Sequence, residues 1–165
     1  MSGVPRSRKA VIVLAVLAAA SCCLIVGTAV NYMGAARAAS GFSASISEIS
    51  LEGSADRPAV RVMLAFGNDS SWRLEALEAH VSVFFGEEYV WGRSFDWLGD
   101  PIVLGPGDEK TVPLDVHLPP QKLPAGAEGG IWTARVSGLI DMPMLGKKAF
   151  RCYGSTSAPG ANGVK

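Results

Sequence analysis

The chain predicts an all-β, immunoglobulin- or fibronectin-III-like sandwich of about seven strands, preceded by one N-terminal transmembrane α-helix. Three observations carry this. A single long apolar run, Ala10 to Met33, lies near the N-terminus. Beyond it, short segments alternate apolar and polar residues and are separated by Gly, Pro, Asn and Asp turn formers. No stretch after Met33 carries the three-and-four spacing of a long amphipathic helix.

The run "AVIVLAVLAAASCCLIVGTAVNYM" is broken only by Ser21, Thr28 and Asn31. As a helix it reaches roughly 35 Å, enough for a hydrocarbon core of about 30 Å. A helix also satisfies its own backbone hydrogen bonds in lipid. "RSRK" precedes the run and only Arg37 follows closely. The positive-inside bias then makes residues 1–9 a cytoplasmic N-terminus, 10–33 the span and 34–41 a linker of small residues. The expected location is the cell membrane, single-pass, with the C-terminal domain extracytoplasmic. Three other readings stay open: a cleaved signal using "AAA" at 18–20, lipidation of Cys22 in "AASC", and a pilin-type helix after "RKA".

The domain proper is expected over residues 42–154. "FSASI" puts Phe42, Ala44 and Ile46 on one face, and Ile49 and Leu51 continue after a change of parity near Glu48, the signature of a bulge. "AVRVMLAF" aligns Val60, Val62, Leu64 and Phe66, and turn formers follow from Gly67 to Ser71. In "RLEALEAHVSVFFG" helical composition competes with alternation. Leu77, Ala79, Val81, Val83 and Phe85 keep period two over nine residues, so a strand is expected, with "RLEA" as at most one turn before it.

After a turn at Gly86 to Glu88, "YVWGRSFDW" reads as a strand interrupted at Gly92, and "IVL" as a short one. "KTVPLDVHL" turns Val112, Leu114, Val116 and Leu118 inward and Pro113, Asp115 and His117 outward. Pro113 lacks a donor, which marks an edge strand. "IWTARVSGLI" and "KKAFRCYG" close the set, and residues 155–165 read as a disordered tail.

Beyond residue 37 there are 11 basic and 15 acidic side chains, a balance that argues against a nucleic-acid partner. Cys22 and Cys23 fall inside the span, and Cys152, alone in the domain, reads as a small buried apolar residue. Asp115 and His117 share a strand face, but no third ligand stands at a metal-binding spacing. No Gly-x-Ser-x-Gly elbow, Walker or dinucleotide glycine motif appears, so no catalysis, metal or cofactor is expected. Turn acids Glu87, Glu88, Asp96, Asp100, Asp108 and Glu109 read as surface solubilisers before they read as a calcium site. Of the four tryptophans, Trp72, Trp91, Trp97 and Trp132, Trp97 is expected to be the most exposed. Asn68-Asp69-Ser70 fits the glycosylation sequon, making Asn68 a candidate glycosylation site.

Taken together, "MLAFGNDSSWRLE", "YVWGRS", "IVLGPGDEKTVPLDVHL" and "ARVSGLIDMPMLGKKAFR" resemble the late embryogenesis abundant proteins of group two, whose module is the water-stress hypersensitive-response (WHy) domain. The likeness spans about residues 42 to 153, with Gly67-Asn68-Asp69 where members usually carry Asn-Pro-Asn. It implies a sandwich without an active site, associated with desiccation and other stress, often behind a membrane helix. The expected role is therefore binding or physical protection of the envelope, with a protein or envelope partner met through an edge strand or the end loops. The alternatives are a subunit of a surface filament and a carrier of lipid or another hydrophobe.

Overall fold

The computed structural model describes residues 6–54, 56–127 and 129–157. Helix α1 runs from Arg6 to Gly41 and β1 from Phe42 to Ser54. Strands β2 (Arg57–Asn68), β3 (Leu74–Phe85), β4 (Glu88–Asp96), β5 (Ile102–Leu104) and β6 (Glu109–His117) follow. A 3-10 turn at Pro120–Lys122 leads to β7 (Ile131–Met142) and β8 (Gly146–Ser157).

The strands form two antiparallel sheets, one ordered β1-β2-β6 and the other β4-β3-β7-β8, with β5 also paired to β3. β6 is thus an edge strand, as Pro113 demands. The inward faces are those set by the alternation. Val60, Val62, Leu64 and Phe66 from β2 meet Ala79, Val81 and Val83 from β3, and all are buried. Trp132 fills the far end of this core, its indole Nε1 donating to the Ala127 carbonyl at 2.9 Å. Gly138 is required by packing, since a Cβ there would strike the Glu78 carbonyl and the Phe150 ring.

Register slips occur in three of the strand pairings, the one between β3 and β4 falling at Val83 and Phe84. The pairing of β1 with β2 slips between Ile46 and Glu48, the site of the expected parity change. Another slip, between Ala76 and Glu78 against β7, flips the parity of β3. Leu74 and Ala76 face inward before it, and Ala79 and Val81 face inward after it. "RLEA" is therefore no helical turn. Leu74 to Ala76 is strand, paired with β5 on one side. β4 also runs unbroken through Gly92, which pairs with Ser82.

Two further boundaries, and the setting of Trp97, differ from what the composition suggests. Residues 34–41 are not a linker but the last two turns of α1. "GAARAAS" is rich in alanine, the best helix former, and holds no stop signal before Gly41. The tail is ordered as β8 through Ser157, where it pairs with Ile131; positions 158–165 lie outside the described residues. Trp97 is half-buried, edge-on to Phe66 at 6.5 Å, and Trp91 is the exposed tryptophan.

Candidate functional site

The end of the sandwich that receives α1 is the most elaborated part of the molecule. α1 passes into β1 without a loop, and it touches β1, β2 and β7. Small residues make the approach possible. Gly34 faces the indole of Trp72, Ala35 is fully buried, and Gly41 packs against the backbone of Ser70. The Asp69 amide donates to the Gly41 carbonyl at 2.8 Å, tying the helix terminus to the loop after β2. In contrast, the apolar run of α1 stands clear of the β body, with Val11, Leu14 and Leu24 all exposed.

Asn68 is the pivot of this end. It is the one fully buried polar residue among the described residues. Its Nδ2 donates to the carbonyls of Trp72 (2.7 Å), Leu104 (3.0 Å) and Gly105 (2.9 Å). Its Oδ1 accepts from the Ser70 amide and hydroxyl. One side chain thereby ties the loop before β3 to the end of β5 and the residue after it. In the folded chain the nitrogen on which a sequon glycan would sit is enclosed and hydrogen-bonded to three carbonyls. Asn68 is a structural residue.

Beside the junction lies a cleft of about 560 Å³ lined by Arg73, Glu75, Asp141, Met142, Pro143 and Met144. Arg73 and Glu75 form an ion pair at 2.8 Å on its wall. Met144 is 63% exposed at the turn between β7 and β8, with a backbone φ of 65°.

The other candidates are dispersed. His80 lies on β3 and His117 on β6, in different sheets. Asp115 is taken by Arg61, with Nε at 2.7 Å from Oδ1, and Arg61 also holds Glu52 at 2.8 Å. The Arg61 hydrogen bond holds the Asp115 carboxyl below the usual carboxylate range against the opposing effect of desolvation. Among the described residues no three His, Cys, Asp or Glu side chains gather as a metal site. Glu87 and Glu88 sit at the β3–β4 hairpin, the opposite end from Asp108 and Glu109 beside Asn68. Cys152 is buried, and burial pushes its thiol up to about 11. The junction itself was not legible beforehand, apart from the run of small residues at 34–41.

A scan of protein-family models finds no match, and no curated protein matches at a significant level. Solved structures do match. A candidate ApaA protein from Bordetella pertussis superposes with a TM-score of 0.53 at 15% identity, over 73% of this chain and 95% of its own. A candidate late embryogenesis abundant protein gives 0.55 at 11% identity, over 73% and 72%. A protein from Arabidopsis thaliana gives 0.51 at 16% identity, over 72% and 83%. At such identities the likeness concerns the fold alone. The β body of this chain has the fold of the late embryogenesis abundant domain that its sequence resembles.

Proposed function

We propose that the chain is a single-pass membrane protein that holds a non-enzymatic β-sandwich rigidly at the extracytoplasmic face. Its role there is binding or physical protection of the envelope under stress such as desiccation. The observation that carries the reading is the junction. An apolar helix whose long run meets no partner among the described residues passes directly into β1 and is braced at its end by Gly34, Ala35 and Gly41. Such a helix needs lipid around it, and the brace sets the β body against the membrane surface. The charge pattern at 1–9 supports a cytoplasmic N-terminus.

Strand order supports the immunoglobulin or fibronectin-III type of sandwich. β1, β2 and β6 take the places of strands A, B and E, and β3, β7 and β8 those of C, F and G, with β4 added beside C.

Protease treatment of intact cells, read with the intact mass of the membrane-bound fragment, tests the proposal. The expected result is loss of the β body from outside with α1 retained uncleaved and unlipidated. A full-length chain that is freely water-soluble, or a β body protected on intact cells, overturns it. Sizing in mild detergent separates it from the filament reading, in which residues 10–33 would drive assembly.

A further inference from the structure

The outward face of the five-stranded sheet is not the plain polar face that a solvated sheet presents. Tyr89, Phe84, Arg135 and Tyr153 form a band across β4, β3, β7 and β8. Phe84 and Tyr89 meet edge-on at 5.7 Å. The Arg135 guanidinium carbon lies 4.5 Å from the centre of the Phe84 ring and 6.0 Å from that of Tyr153. Tyr89 and Tyr153 are 55% and 66% exposed.

Beside this band the floor drops. Gly92 pairs with Ser82, Ser82 with Arg135, and Ser137 with Arg151, so the neighbouring positions carry small side chains. The result is a depression of about 230 Å³ walled by Arg135, Arg151 and Tyr153 over Ser82 and Ser137. Among the described residues neither arginine has a carboxylate within ion-pair distance.

We infer that this face binds a sugar polymer bearing carboxylate or phosphate groups. Each part of the ligand has a partner. Guanidinium forks match carboxylate and phosphate geometry, and the two rings flanking Arg135 hold its fork in place before binding. Exposed tyrosine rings offer flat apolar faces, and the serine hydroxyls both donate and accept. The patch holds two arginines, too few for a duplex nucleic acid, whose dense phosphates need a broader basic surface. The inference goes beyond anchoring, and it stands whether or not α1 crosses a membrane.

The test is binding of the full chain in detergent micelles to polygalacturonate, to teichoic acid as the phosphate-bearing polymer, to neutral dextran, and to single-stranded oligothymidylate. The expected result is salt-sensitive binding of one or both charged sugar polymers and none of dextran. The carboxylate and phosphate arms identify which anion is taken. Arg135→Gln or Arg151→Gln should each weaken binding by about tenfold, as loss of a charge-assisted hydrogen bond predicts, with the thermal unfolding midpoint unchanged. Arg135→Lys, which keeps the charge but loses the fork, should not restore full affinity. Failure to bind either charged polymer, equal binding of dextran, tighter binding of the oligonucleotide, or indifference to both glutamine variants overturns the inference.

Discussion

The Trp72 indole lies so close to Gly34 that a Cβ on the glycine would stand 3.2 Å from its Cζ2. An aromatic ring carried by the β body thus rests on the helix one residue beyond its apolar run. Trp is favoured where one side of a ring is apolar and the other wet, and this contact fixes how the β body meets α1.

Gly34→Leu is expected to lever the end of α1 away from Trp72. Limited thermolysin digestion should then cut within residues 34–41, where the natural chain resists, while the β body keeps its unfolding midpoint. Gly41→Ala is a harsher change, because its Cβ would sit 2.9 Å from the Ser70 amide nitrogen. Crowding against backbone of this kind costs about 1–3 kcal/mol, readable by denaturant titration in detergent.

Asn68→Ala would take the amide donor from the Leu104 and Gly105 carbonyls and leave that of Trp72 with only the longer bond from the Ser70 hydroxyl. A loss of about 3 kcal/mol is expected from buried acceptors left unpaired. Asn68→Asp should cost at least as much, since it sets an acceptor against acceptors. Expressed in a glycosylating host, the folded chain should carry no glycan at Asn68, as intact mass would show.

Asp115 sets a pH dependence. Its folded pKa is lowered by Arg61, so the unfolded chain binds the proton more readily. The stabilisation is complete above the unfolded value of about 3.9 and is lost as pH falls through the folded one. The Asp115 and Arg61 side chains are 39% and 38% exposed, so solvent screening keeps the contribution small. Denaturation midpoints of the natural chain and Asp115→Asn should differ at pH 7 and draw together as pH falls below the unfolded value and through the folded one. High salt should narrow the gap at pH 7.

Cys152, with its thiol raised to about 11 by burial, should resist iodoacetamide at pH 8 in the folded chain and react once denaturant opens the sheet. Cys152→Ser would bury a hydroxyl in its place and is expected to cost about 1–3 kcal/mol. Alkylation of the native chain as fast as of the unfolded chain would contradict the burial.

Period-two alternation was readable wherever one strand face met the core. It identified β2, β6 and the second half of β3 directly, along with Pro113 at an edge. It failed at Leu77, where a bulge reverses parity and makes "RLEALEAH" look helical. It failed again at Trp97, whose turn residues suggested exposure although the ring packs on Phe66 from the facing sheet.

By itself, the order of residues determined an apolar helix ahead of a two-faced β body, because helix length and strand alternation are local properties of the chain. Tertiary structure alone decided that residues 34–41 join the helix to that body, that Asn68 is an internal strut, and that Arg135 and Arg151 meet Tyr153 on one face. Those relationships depend on strand register and on loops that meet only when both sheets close, which no local pattern encodes.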